Sequence, residues 1–284
     1  MLLETLLLIT AFTGSILAGI IDLKTTEIPD EIPYVMAGIG IIGNLVKSYL
    51  LGTYTPILLS FLVGLLFLGF GFLLYFTGQW GGGDAKLLSA IGFLLPQYPA
   101  VKSFFPFPMS FFFNVFFVGS VYMIGYILVM SFFNRKIWTQ FIGDFKASAR
   151  ELLLLNLGIV IFLVLFGIFT VNYLQIVSVN EMLVFGSIVI GLTVGLFTLW
   201  RFGKTVEVVG FKRKIKVSEL KEGDVLDESK LWEGLTKEQV KKIKKSGKKT
   251  AVIKEGVRFA PTFALALLVT ILLGDIVVWV VGLV

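Results

Sequence analysis

Cysteine and histidine are both absent from this 284-residue sequence. Without them the chain has no cysteine nucleophile, no Cys/His zinc site, no cysteine or histidine ligand for haem and no Ser-His-Asp triad. Asp and Glu are therefore the only side chains left that commonly perform acid–base chemistry near neutral pH. Any catalysis by this chain is expected to depend on carboxylates, with no metal site and no cofactor.

Charged residues are also scarce, at 15% of the chain, whereas a soluble domain has roughly 25%. Hydrophobic residues make up 56% and occur in blocks of about the length that crosses a bilayer. The sequence predicts an all-α polytopic membrane protein, and we expect its first block to be a span and not a cleaved signal. The predicted spans number about eight: 2–21, 34–52, 55–77, 84–96, 108–133, 152–174, 180–200 and 259–282.

Residues 201–258, called the basic segment below, interrupt these spans with a polar, Lys-rich sequence. The pattern of this segment predicts a small α+β module. It has two strands at 205–210 and 212–220, a short helix at 234–247 and another strand at 248–256. Thr236 and Gln239 have the spacing of a capping box. In a chain tied to a bilayer, the positive charge indicates contact with membrane lipids and not with nucleic acid.

The placement of Lys and Arg predicts the orientation of the spans. If the N-terminus lies outside, all of the 25 basic residues except Lys47 and Lys102 fall in cytoplasmic loops. Those loops are 22–33, 78–86, 134–151 and the basic segment. The positive-inside rule therefore favours a cytoplasmic location for the basic segment.

Three carboxylates within or beside the predicted spans need an explanation, because such groups are costly there. Asp22 directly follows the first span, and Asp84 begins the fourth, so both lie at the cytoplasmic end of a helix. Asp275 lies about 24 Å into the last span, at a rise of about 1.5 Å per residue. Depth alone thus pairs Asp22 with Asp84 and separates Asp275 from them.

Two carboxylates at one depth can form a catalytic pair that shares one proton. Gly81, Gly82 and Gly83 precede Asp84 and would let a substrate backbone approach closely. The start of a helix favours the ionised form of Asp84, which suggests Asp84 as base and Asp22 as acid. Each residue also has a structural alternative, Asp22 as a boundary residue and Asp84 as a helix cap.

These residues resemble a known family. Two segments look like those of the archaeal prepilin and preflagellin peptidases, which are GxGD-type aspartyl proteases. They are Asp22 to Asp30 after the first span and Gly81-Gly-Gly-Asp84-Ala-Lys86 before the fourth. Further similar stretches are Phe107–Asn114, Gly234–Gln239, Lys254–Pro261 and Leu268–Asp275. The resemblance implies Asp22 and Asp84 as catalytic residues, and Gly81 to Gly83 as the active-site loop. It implies removal of a short basic leader from pilin-like or archaellin precursors.

The resemblance also implies a domain organisation. Shorter members have six spans, so residues 152–200 would be an additional hairpin. The predicted parts are a membrane peptidase core (1–133), a cytoplasmic loop with the extra hairpin (134–200), the cytoplasmic basic segment (201–258) and the last span (259–284). The cysteine-rich zinc motifs of bacterial relatives are missing, and methyl transfer is not expected.

Loop 22–33 is the one clearly acidic cytoplasmic loop. We hypothesise that Glu27, Asp30 and Glu31 attract the basic leader, although a solvated polar loop would have the same composition. Two other functions remain open. One is a non-proteolytic membrane transporter, and the other is a presenilin-like protease that cuts within membrane helices.

Overall fold

The computed structural model describes residues 2–99, 103–170, 178–229, 231–276, 278 and 282. The described part is mostly helical, with a small three-stranded sheet. Six of its helices are long and apolar enough to cross a membrane. The helices are α1 Leu2–Thr25, α2 Glu31–Leu51, α3 Thr55–Phe76, α4 Gly82–Leu94, α5 Phe107–Phe133, α6 Arg135–Phe169, α7 Val179–Val206, α8 Lys237–Lys245 and α9 Pro261–Leu273.

The helices α4 and α9 match the fourth and last predicted spans but have only 13 residues each. The count of eight spans therefore stays a prediction. Its sixth and last spans also include residues 171–174, 277 and 279–281, which lie outside the described residues. Residues 135–151, predicted as a loop, form the first turns of the 35-residue helix α6.

The short helix α4 is the most deeply buried helix described, because α2 and α3 enclose it. Its last carbonyl groups have no partner within the helix, as in every helix. Asn44 of α2 donates to Phe93 O over 2.9 Å, and Ser60 of α3 donates to the same oxygen over 2.7 Å. These buried hydrogen bonds allow α4 to end inside the protein and fix the position of its other end, where Asp84 lies.

The described chain divides into two compact units, residues 1–126 with 213–284, and residues 127–212. In the second unit, α6 and α7 pack against each other as a helix pair. Most of the apolar side chains of this pair are exposed. Both helices are long and apolar enough to cross a membrane, and the prediction that they form an additional hairpin stays a prediction, since residues 171–177 lie outside the described part.

The three strands described are β1 Lys212–Lys216, β2 Val225–Leu226 and β3 Thr250–Lys254, and they form a sheet in the order β1-β3-β2. The predicted helix is present as α8, with the capping box at Thr236 and Gln239. The predicted strand at 205–210 is wrong, because α7 continues to Val206 and a π-helical turn follows over Glu207–Phe211. The short strand β2 was not predicted.

Candidate active site

Asp22 lies in the last turn of α1 and is only 4% exposed. Its Oδ2 atom accepts a hydrogen bond of 2.9 Å from the backbone amide of Ala260, just before α9. The helices α1 and α9 approach closely because Gly19 has no side chain. A Cβ atom there would lie 3.0 Å from Pro261 Cα. The buried carboxylate is thus held by a backbone donor from the opposite end of the chain.

Asp84 is the third residue of α4. Its Oδ2 atom accepts a hydrogen bond of 3.1 Å from the amide of Gly81, so the carboxylate caps the start of its own helix. Gly83 contacts the segment after α1 so closely that a Cβ atom would lie 2.8 Å from Ile28 Cβ. The glycine run therefore lets α4 begin directly against the segment that follows Asp22.

Asp22 and Asp84 line one cavity of about 750 Å³. Their carboxyl groups are near enough to interact electrostatically. Gly81, Gly82 and Gly83 line the same cavity. The structure therefore brings together the two acids that depth in the membrane had paired, with the glycine run beside them.

The basic segment forms part of the wall of this cavity, which the sequence did not predict. Trp232 Nε1 donates to Gly78 O over 2.8 Å, three residues before the glycine run begins. Tyr75 at the end of α3 donates to Glu233 over 2.6 Å. These contacts join residues more than 150 positions apart, and no local pattern in the sequence indicates them.

The three acids hypothesised to attract a leader separate in the structure. Glu27 lines the cavity. Asp30 and Glu31 do not, and Asp30 is held in an ion pair with Lys86 at 2.6 Å. Glu31 is exposed in the first turn of α2. Of the three, Glu27 is therefore the one that lies in the wall of the cavity.

Asp275 lies apart from the cavity and has a structural environment. It is 3% exposed, and its Oδ2 atom accepts hydrogen bonds from the amides of Phe104 and Phe105, the latter at 3.0 Å. The carboxylate thus anchors the segment that leads into α5. The structure thus keeps Asp275 apart from Asp22 and Asp84, as its predicted depth in the last span had indicated.

Arg258 is a cavity residue that sequence reasoning missed. It is half-buried, and its Nη1 atom donates to the hydroxyl of Tyr126 over 2.7 Å. No local pattern in the sequence indicates that Arg258 lies near Asp22. Its place follows from the contact between Asp22 and Ala260, which lies two residues after Arg258.

Among the described residues there is no group of three or more potential metal-ligating side chains.

This chain is similar in sequence to a family of peptidases and to several archaeal proteins. Residues 9–134 match the type IV leader peptidase family. A preflagellin peptidase of Methanococcus voltae is 33% identical over 115 residues, which cover 36% of this chain and 48% of the relative. Prepilin peptidase EppA of Methanothermobacter thermautotrophicus is 24% identical over 168 residues, which cover 53% of this chain and 42% of the relative.

A preflagellin peptidase of Methanocaldococcus jannaschii is 33% identical over 85 residues, which cover 30% of this chain and 36% of the relative. The chain thus spans about half the length, or less, of the curated relatives that it matches. The match over residues 9–134 includes most of α1, all of α2 to α5, and both Asp22 and Asp84. The resemblance to the archaeal prepilin and preflagellin peptidases is therefore confirmed, and this chain is a multi-pass membrane protein similar to the type IV leader peptidases.

Proposed function

We propose that this chain is a membrane aspartic-type endopeptidase in which Asp22 and Asp84 are the catalytic residues. The observation that carries the proposal is that both carboxylates, from α1 and α4, line one cavity and interact electrostatically. The names of the similar proteins, preflagellin and prepilin peptidase, support the same reaction class.

The proposed chemistry needs one ionised and one protonated carboxyl group. The ionised group takes a proton from a water molecule, whose oxygen attacks the scissile carbonyl carbon. The protonated group donates a hydrogen bond to the carbonyl oxygen as negative charge develops there. When the tetrahedral intermediate collapses, the C–N bond breaks and a proton passes to the leaving nitrogen. No cofactor is required for these steps.

The glycine run gives this site room for a peptide backbone. No Cβ atom projects from residues 81–83 into the space beside Asp84, so an extended chain can approach the carboxylate closely. A Cβ atom at Gly82 would have the Tyr75 ring as its nearest contact, at 3.8 Å. The loop therefore combines a helix start that orients Asp84 with an open surface for a substrate.

The proposed substrates are pilin-like or archaellin precursors with short basic leaders. Glu27 offers a negative charge within the cavity, and in this proposal it contacts the leader. With the N-terminus outside, the cavity and the basic segment face the cytoplasm, as the positive-inside rule predicts. The cut would then fall at the cytoplasmic membrane face, just before the hydrophobic helix of the precursor.

The test is processing of a pilin-like precursor in vitro by the purified chain. We expect the wild type to release the leader, Asp22→Asn and Asp84→Asn to release none, and Asp275→Asn to remain active. A wild-type protein that releases no leader from either an archaellin or a pilin precursor would contradict the proposed substrates. Near-normal turnover by Asp22→Asn would contradict the proposed mechanism.

A further inference from the structure

Within the part of the chain that the structure describes, five basic residues line the cavity, and their partners differ. Lys86 is paired with Asp30 at 2.6 Å, and Arg213 is paired with Glu255 at 2.9 Å. The Nζ atom of Lys254 donates to Ser229 O over 2.7 Å and lies 4.4 Å from the centre of the Trp232 ring. Lys24 is exposed to solvent. The fifth cation, Arg258, is in a different situation.

The guanidinium group of Arg258 is held by a neutral partner and not by an acid. Its Nη1 atom donates to Tyr126 over 2.7 Å. Its Nε atom is buried and has no hydrogen-bond partner among the described residues. A partly buried guanidinium without a close carboxylate has lost some of its hydration, so a negative charge nearby stabilises it.

That negative charge is Asp22. Arg258 and Asp22 line the same cavity, and the amide of Ala260, two residues after Arg258, donates to the Asp22 carboxylate over 2.9 Å, which brings the positive charge of Arg258 into the electrostatic environment of Asp22. One short segment thus supplies Asp22 with both a hydrogen bond and a positive charge. Among the described residues, Asp84 of α4 and Tyr122 of α5 are further ionisable groups that interact with Asp22, and Tyr122 also interacts with Arg258.

We propose that Arg258 is a positioning residue that sets the pH range in which the Asp22–Asp84 pair is singly ionised. This inference rests on the proposed peptidase function. A pair of carboxylates loses its protons in two steps that belong to the pair as a whole. A fixed cation beside one member favours each loss of a proton, so it moves both steps to lower pH. Arg258 thereby places the active, singly ionised state of the pair at lower pH than two isolated buried carboxylates would have it.

The experiment is a pH profile of kcat/KM for precursor cleavage by the wild type and by Arg258→Gln, Arg258→Met and Arg258→Lys in the full-length chain. The two neutral variants are expected to move the whole bell-shaped profile to higher pH. A shift of one pH unit corresponds to about a tenfold loss of kcat/KM on the acidic side. Arg258→Lys retains the charge and is expected to keep the position of the profile, even with a lower maximum.

Arg150→Gln is the matched control, because it removes the same charge from an exposed position on α6. Its profile should coincide with that of the wild type. Neutral variants whose profile is lower at every pH but not displaced would overturn the proposal, since that result indicates a structural role only. An increase in KM with unchanged kcat and an undisplaced profile would overturn it as well, in favour of substrate binding.

The two proposals fail in different ways. If the wild type cleaves the precursor and Asp22→Asn does not, the peptidase function stands whatever Arg258 does. If the profile of Arg258→Gln then stays in place, the inference on Arg258 alone is wrong.

Discussion

The backbone amide of Ala260 donates a hydrogen bond of 2.9 Å to the Oδ2 atom of Asp22, across a separation of 238 residues. The carboxylate at the end of the first helix is therefore fixed by the residue just before the last described helix. Residues 9–134 contain both candidate catalytic acids, but the geometry of one of them depends on the far end of the chain.

The contact between Gly19 and Pro261 should be sensitive to a single methyl group. Gly19→Ala would place its Cβ atom 3.0 Å from Pro261 Cα, a backbone atom that cannot move alone. We expect the segment around Ala260 to shift away from Asp22, with lower precursor cleavage and a lower temperature of unfolding. Gly38→Ala in α2 is the control, because nothing lies within 4 Å of its Cβ position. Equal activity of the two variants would contradict this expectation.

The glycines beside Asp84 should differ in their tolerance of alanine. Gly83→Ala brings its Cβ atom to 2.8 Å from Ile28 Cβ and must displace the start of α4. Gly82→Ala meets only the Tyr75 ring, at 3.8 Å. Because small displacements of catalytic groups are costly, we expect kcat to fall roughly ten- to hundredfold for Gly83→Ala and much less for Gly82→Ala. The reverse order in single-turnover cleavage would refute the proposed geometry.

Glu27 should discriminate between leaders by their charge. Because its side chain is exposed, Glu27→Gln is expected to slow cleavage of a Lys/Arg-rich leader only about two- to fivefold, and to leave a neutral leader unaffected. Glu31→Gln, outside the cavity, is the control and should affect neither leader. Competition between the two leaders in one reaction measures the ratio directly. A Glu27→Gln variant that slows both equally would argue against contact with the leader.

Asp275 should matter for stability and not for the chemical step. Asp275→Ala leaves the part-buried amides of Phe104 and Phe105 without their acceptor, at a cost of about 1 kcal/mol. Asp275→Asn keeps an acceptor oxygen and should be close to the wild type in both thermal unfolding and cleavage. A folded Asp275→Asn protein without activity would instead place this residue in the mechanism.

The pairing of Asp22 with Asp84 could be predicted because helix rise converts sequence position into depth. The same arithmetic separated Asp275, which lies outside the cavity. The helix α8 was predictable because its capping box at Thr236 and Gln239 is local. Features that depend on spacing within one segment were thus readable from the sequence.

Contacts between distant segments were not readable. Tyr75 and Glu233 meet at 2.6 Å, although nothing in either local sequence indicates the other. The predicted strand at 205–210 was wrong for a related reason, because a short alternating pattern cannot be distinguished from the last turns of the long helix α7. Arg258 likewise has no motif of its own, and its place beside Asp22 depends on how α9 packs against α1.

The most direct test of the catalytic pair is the turnover of Asp22→Asn, Asp84→Asn and the double variant, measured on one precursor with each protein shown to be folded. Groups that act as a unit have strongly non-additive effects. We predict that each single variant loses essentially all leader release and that the double variant is no worse than either. A single variant with near-normal turnover, or losses that multiply in the double variant, would contradict a catalytic pair.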